Sequence, residues 1–254
     1  MDQQKKLTLM GHLHEVRRRL FYSVIAVGIT TIGSFFFARY IFEYLASRAP
    51  ADIPLIYTHV TEMLGIYIKV ALYCGIALAL PFIIYHVIMF IAPALTRREK
   101  GYMYPLLLGV VLFFIAGVAF TYLILLPPAL NFLLDPPPIF GGDIAQPMIS
   151  IGDYVSLLVR LMFWIGVVFE IPMLMLMLSR LGIVSPKWLL GKWKWSILIA
   201  FLLGALITPT MDPVNQTLVA VPIVMLYGIG ILLAWIARPQ SKRIALTEAR
   251  LESQ

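Results

Sequence analysis

Long apolar runs separated by short polar segments set the pattern of this chain. Six runs can be drawn, at residues 20–37, 66–94, 104–126, 155–181, 195–207 and 218–237. Several approach the ~20 residues that carry an α-helix across a bilayer. The pattern predicts an all-α, polytopic membrane protein with six transmembrane helices. Proline punctuates it. Pro81 lies inside the second run, Pro127-Pro128 should stop the third, and Pro222 lies one turn into the sixth. The polar segment 1–19 reads as a cytoplasmic amphipathic helix, 20–237 as the membrane core and 238–254 as a tail. Together, 1–254 form one six-helix domain.

The fifth run is short. Residues 196–207 make about 18 Å of helix at 1.5 Å per residue, against a hydrocarbon core of ~30 Å. Trp188, Trp193 and Trp195, with Lys187, Lys192 and Lys194, form an interfacial anchor before it. A proline-bounded turn, Thr208-Pro209-Thr210-Met211-Asp212-Pro213, leads into the sixth run. Either this hairpin thins the bilayer locally or it is a tilted pair of ordinary spans. Asp212 is placed to cap the sixth run.

Composition sharpens the class. Of 254 residues, 61% are hydrophobic and 13% charged, about half the charged share of soluble domains. The single cysteine, Cys74, lies in an apolar run and excludes a disulfide framework within the chain. The basic start followed by a long apolar run does not read as a cleavable signal.

Charge then sets the orientation. Sixteen of the twenty Lys and Arg residues fall in four segments: 1–19, 97–100, 180–194 and 238–250. The alternate loops are nearly free of them. Basic loops stay in the cytoplasm, so strict alternation over six spans puts both termini there. The net charge of +7 is thus a topology signal with attraction to anionic lipid. It is not a nucleic-acid patch. The outer loops, 46–65 and 131–154, carry Pro50, Pro54, Pro136, Pro137, Pro138 and Pro147. Such stiff segments should fold as a cap on the outer face.

One charge breaks the rule. Glu170 lies near the middle of the fourth run, in Val167-Val168-Phe169-Glu170-Ile171-Pro172. A carboxylate at that depth costs roughly 2.5–3.5 kcal/mol on insertion scales. Pro172 weakens the helix ladder beside it, freeing carbonyls near residue 168. A charge and a helix defect in one turn mark a functional site; the alternative is a protonated, hydrogen-bonded structural glutamate. Lys69 and Arg160, near the outer ends of the second and fourth runs, read as snorkelling cations; their roles stay open.

No catalytic constellation is present. His14-Glu15-Val16-Arg17-Arg18 begins like a zinc-protease helix but lacks the second histidine four residues after the first. There is no phosphate-binding loop and no nucleophile elbow. The expectation is no enzyme, no metal and no cofactor. On the cytoplasmic face, apart from the terminal acids, only Glu15 and Glu99 remain, each among arginines. Glu15 and Arg19, four apart, can also form a plain surface ion pair. Rigid carboxylates can hold guanidinium bidentately, which lysine cannot reproduce. Two of them on one face could therefore tell arginine from lysine.

A set of motifs gives these residues a family. They are His12-Leu-x-Glu15-x-Arg17-x-Arg19-Leu20, Pro81-Phe82-x-x-Tyr85 and Phe90-x-x-Pro93-x-Leu95-x-x-x-Glu99. Phe114-x-x-Gly117-x-x-Phe120-x-Tyr122, Phe169-Glu170-x-Pro172 and Thr208-Pro209 with Asp212-Pro213 and Gln216 follow in order. From about residue 10 to 237 the chain resembles the TatC family, the signal-peptide receptor subunit of the twin-arginine protein translocase. His86, Ile88, Val16 and Ala94 depart from the usual family residues and leave packing around the second run less defined.

The resemblance implies a concave, glove-like bundle in a bacterial or archaeal cytoplasmic membrane. It implies Sec-independent export of folded proteins driven by the proton-motive force. It assigns Glu15 and Glu99, with Arg17 in the same patch, to twin-arginine signal peptides. It assigns Glu170 and Pro172, facing a water-accessible cavity, to the helices of TatA- and TatB-type single-span partners. It makes the turn of Pro209, Asp212 and Gln216 a candidate functional element, and a homo-oligomer within the receptor complex the expected state. The rival reading is a small proton-coupled secondary transporter with Glu170 as its coupling carboxylate.

Overall fold

The computed structural model describes residues 2–47, 49, 55–91, 103–134, 148–208 and 212–236. Within these the chain is almost wholly helical. By contacts it divides into two compact units, Met1–Val111 with Leu134–Phe163, and Leu112–Leu133 with Trp164–Gln254.

In the first unit α1 (Asp2–Phe35) runs straight from the amphipathic segment into the first apolar run. It closes at Gly33 and Ser34, whose carbonyls accept from the Phe36 and Phe37 amides at 3.3 and 3.0 Å. The chain then bends by 62° into α2 (Ala38–Ala46). Ala38, Phe42 and Leu45 recur every three to four residues and are buried. Arg39 and Glu43 lie on the exposed side and pair at 2.7 Å.

The long α3 (Glu62–Ile91) packs along α1. Gly75 makes this possible, because a Cβ there would fall 2.5 Å from the Thr31 Cα. The Thr30 hydroxyl donates to the Gly75 carbonyl at 2.7 Å across the same contact. Small residues that let backbones approach are how helices associate where burial of apolar surface gives no drive. Pro81 stays within α3.

Two segments that precede helices meet in this unit. Strand β1 (Leu55–Ile56) pairs in parallel with β2 (Ile149–Ser150), Leu55 opposite Ile149 and Ile56 opposite Ser150. The Glu62 carboxylate ties the same place together. It accepts from the Thr58 amide at 2.7 Å, the Thr58 hydroxyl at 2.9 Å and the His59 amide at 3.2 Å. It also accepts from the Gly152 amide at 2.7 Å and from the Ser150 hydroxyl. Ser150 in turn accepts from the Gly152 and Asp153 amides, which caps α6 (Ile151–Val168).

The third apolar run departs from expectation. Helix α4 (Met103–Phe120) does not stop before Pro127-Pro128. It passes through a π-helical turn, Thr121–Leu125, into α5 (Leu126–Leu134), so that residues 105–134 form one apolar helix. The Leu126 amide donates to the Thr121 carbonyl, five residues back. That wider turn shifts the ladder just before the two prolines, which lack amide hydrogens, and they then sit in a first turn where those hydrogens are not needed.

In the second unit α7 (Ile171–Arg180), α8 (Pro186–Gly191), α9 (Trp193–Ile207) and α10 (Pro213–Ile236) pack together. Gly230 of α10 faces α7, where a Cβ would lie 3.2 Å from the Pro172 Cα. The Ser179 hydroxyl donates to the Ala234 carbonyl at 3.0 Å, and the Tyr227 hydroxyl to the Leu189 carbonyl at 2.7 Å. At 15 residues α9 is about 22 Å long, short of a hydrocarbon core.

Among the described residues four helical stretches, 62–90, 105–134, 151–180 and 213–236, are long and apolar enough to cross a membrane, and the bent pair of α1 and α2 counts as a fifth where its two arms form one broken span. Many large apolar side chains are exposed along them, Ile32, Leu112, Leu202 and Leu232 among them. A protein dissolved in water rarely shows so much; lipid is the solvent that accepts it.

Candidate functional site

Three places carry the residues singled out by sequence. The first is the middle of α1, just before the apolar run. Glu15 pairs with Arg19 one turn on, the Arg19 Nε donating to Oε1 at 3.0 Å. Both are partly buried, while Arg17 and Arg18 are exposed. Two residues turn an α-helix by about 200°, so Arg17 points away from Glu15. Glu99 lies outside the described residues.

The second is the break between α6 and α7. The Phe169 amide still closes a helical bond to the Ile165 carbonyl at 2.9 Å. The Glu170 amide bonds three residues back, to the Val167 carbonyl at 3.1 Å. Pro172 then sits in the first turn of α7 without an amide hydrogen to place. The Glu170 residue is 2% exposed, and neither carboxylate oxygen has a hydrogen-bond partner among the described residues. In this geometry it does not face open water. The backbone of Phe114 in α4 comes near the carboxylate, but its amide is committed to the helix ladder. Helix α4 lies close because glycines allow it. A Cβ on Gly117 would come 2.9 Å from the Gly166 Cα, and one on Gly166 would meet the Phe114 ring at 2.6 Å. The Phe120 and Phe169 rings meet at a tilt, their centroids 5.4 Å apart. Beyond Phe120 opens an apolar groove of about 810 Å³ between the π-helical turn and α10, reaching Pro213, Thr217 and Met225.

The third is the α9–α10 turn. Asp212 caps α10, its Oδ1 accepting from the Asn215 amide at 2.7 Å and its Oδ2 from the Asn215 side chain at 3.0 Å. Gln216 donates through Nε2 to the Phe201 carbonyl of α9 at 2.9 Å. Gly204 allows that approach, since a Cβ there would lie 2.9 Å from the Gln216 carbonyl oxygen. Thr208 closes α9 with its hydroxyl on the Gly204 carbonyl at 2.8 Å. Pro209 lies outside the described residues. Asp212→Ala should lower stability by about 1 kcal/mol, read as a lower melting temperature in detergent. An unchanged melting temperature would show that the cap contributes nothing.

Sequence reasoning passed over Glu62 and Ser150. Their signal was present: Ser150-x-x-Asp153 ahead of an apolar run is a capping pattern. That Glu62 would serve two segments about 90 residues apart could not be read from either.

Apolar spans, a broken helix with a buried acid and a short helical hairpin define a multi-pass helical membrane protein. The sequence profile described as "Sec-independent protein translocase protein (TatC)" matches residues 11–222. The Sec-independent protein translocase protein TatC of Aquifex aeolicus (strain VF5) is 39% identical over 241 residues, covering 94% of this chain and 99% of that protein. The chloroplastic protein of Arabidopsis thaliana is 34% identical, covering 94% of this chain and 68% of that one. A crystal structure of the twin arginine translocase receptor TatC matches with a TM-score of 0.77 at 40% identity, over 89% of this chain and 99% of that chain. The chain belongs to the TatC family, and is a component of a protein translocase.

Proposed function

We propose that this protein is the receptor that binds twin-arginine signal peptides of folded cargo and recruits TatA- and TatB-type single-span helices. Glu15 and Glu99 accept the two guanidinium groups, with Arg17 shaping the basic surround from the other side of α1. Six spans place both termini in the cytoplasm of a bacterial or archaeal cell, and export is driven by the proton-motive force. The whole of 1–254 acts as one membrane domain, in a complex with further copies of itself.

The observation that carries this reading is Glu170. Its two oxygens are buried with their acceptor capacity unspent, beside the Pro172 break. A polar side chain on a docking helix would supply the missing hydrogen bond. The apolar groove beside Phe120 offers such a helix a seat. The solved TatC relatives are named as translocase receptors, which favours this reading over a proton-coupled transporter.

The test of the peptide site is binding of an Arg-Arg signal peptide against its Lys-Lys twin, to protein in nanodiscs. Arg-Arg should bind at least about tenfold tighter, which is ~1.4 kcal/mol. Glu15→Ala and Glu99→Ala should each remove the difference. Equal binding of both peptides would end the assignment of these carboxylates.

A further inference from the structure

Lys69 and Arg160 take no part in the sites above. Both belong to the first unit, on α3 and α6, and both lie inside apolar spans. The Lys69 Nζ donates to the Ser156 hydroxyl of α6 at 3.2 Å. Ser156 and Arg160 are four apart on α6, so their side chains are neighbours on one helical face. One turn deeper the Tyr73 and Phe163 rings meet at 5.0 Å, which keeps that face of α6 against α3. The Arg160 Nε is buried and has no hydrogen-bond partner among the described residues. Lys69 is exposed. Two cations therefore share one face, and neither forms an ion pair among the described residues.

Acids nearby are committed or displaced. Glu62 is held by its five donors, and Glu43 by Arg39. Asp153 lies three residues before Ser156, on the same face of α6 and one turn nearer its start. It is exposed and pairs with neither cation among the described residues.

Depth orders these charges. The starts of α3 and α6 are joined by the β1–β2 pair and by Glu62, so they lie in the same leaflet. Measured along the helix at 1.5 Å per residue, Asp153 is about 3 Å below the start of α6, Ser156 about 7.5 Å and Arg160 about 13 Å. Side chains lean toward a helix's N-terminus, so both cations reach outward toward the headgroup layer. That layer is about 5–7 Å thick. The ladder is thus negative at the rim, then positive, then positive.

From this order we infer that the α3–α6 face holds the headgroup of a phosphatidylethanolamine. The phosphate lies between Lys69 and Arg160, and the primary ammonium, two carbons further out, meets Asp153. The guanidinium of half-buried Arg160 donates to the phosphate, and Ser156 can donate to the same phosphate. A phosphatidylglycerol offers Asp153 no cation. A phosphatidylcholine offers it a methylated one that cannot donate a hydrogen bond. This site uses neither the peptide-binding carboxylates nor Glu170, and stands or falls apart from the receptor reading.

The experiment counts lipids retained by the purified protein in native mass spectrometry. The protein is first equilibrated with equal amounts of phosphatidylethanolamine, phosphatidylcholine and phosphatidylglycerol of matched chains. Phosphatidylethanolamine should be retained at least about threefold over each of the others. The double variant Lys69→Gln/Arg160→Gln should lose that enrichment, and Lys69→Arg should keep it. Asp153→Asn should lose the preference over phosphatidylglycerol while still retaining phospholipid. Millimolar free phosphoethanolamine should displace nothing.

Equal retention of the three lipids, or enrichment untouched in the double variant, would overturn the assignment. So would displacement by free phosphoethanolamine, which would make the ligand a soluble one. Loss of a co-purifying single-span protein in the double variant, with no lipid enrichment in the parent, would assign the cations to a partner's carboxylate and overturn it too.

Discussion

Glu170→Leu should make the isolated protein more stable and the assembled complex weaker. The two effects have opposite signs for one reason. In the isolated chain the carboxylate is 2% exposed and its oxygens bond to nothing among the described residues. A buried polar group without a partner destabilises the fold, and an apolar side chain of similar size removes that cost. Insertion scales place a mid-span carboxylate near 2.5–3.5 kcal/mol, so a gain of about 1–3 kcal/mol is expected. It would be read as a raised melting temperature in detergent. Partner association should fall more than tenfold, because the leucine offers no acceptor to an incoming polar side chain. Glu170→Gln should fall between the two. A Leu variant that loses stability would mean that the carboxylate is structural, and that the missing partner is internal.

Glu62→Gln is the second large effect, and its sign is simple. One carboxylate holds donors from Thr58, His59, Ser150 and Gly152, and so fastens the segment before α3 to the segment before α6. An amide keeps one acceptor oxygen and presents two donors of its own, so it faces several of those donors with the wrong group. Charge-assisted bonds are also about twice as strong as neutral ones. Amide exchange at Gly152 and along β1 should accelerate on the order of a hundredfold. A disulfide between Leu55→Cys and Ile149→Cys, opposite each other in the strand pair, should restore protection. Unchanged exchange in Glu62→Gln would show that the two strands hold without the carboxylate. The disulfide arm separates loss of the tie from loss of the fold.

These two glutamates divide what can be read in a chain from what must be seen. Glu170 was legible because a charge inside an apolar run breaks a composition rule, and Pro172 beside it breaks a helix rule. Both rules are local. The helix break, the shortness of α9 and the cap at Asp212 were legible for the same reason: each depends on a handful of neighbouring residues. Glu62 was not legible. At the start of an apolar run an acid is what any helix prefers, so nothing flags it. Its importance comes from Ser150 and Gly152, which only the folded chain brings near.

Proline shows the boundary from the other side. Pro127-Pro128 read as the end of the third run, since proline in a continuing α-helix costs a hydrogen bond and a clash. The π-helical turn at Thr121–Leu125 absorbs both. Inserting one residue's worth of turn is a backbone adjustment that hydropathy does not record.

By itself, then, the sequence determined the solvent, the helical class, the family motifs and the one acid too deep for its surroundings. Those follow from apolar run length, charge alternation and local helix chemistry, which act within a few residues. Tertiary structure alone decided that Glu62 joins the segments before α3 and α6, that Gly75, Gly117 and Gly230 set how close helices come, and that Lys69 meets Ser156 on the face that bears Arg160. Those depend on which distant backbones touch, and in lipid that is settled by packing and by pairing of polar groups rather than by any pattern along one helix.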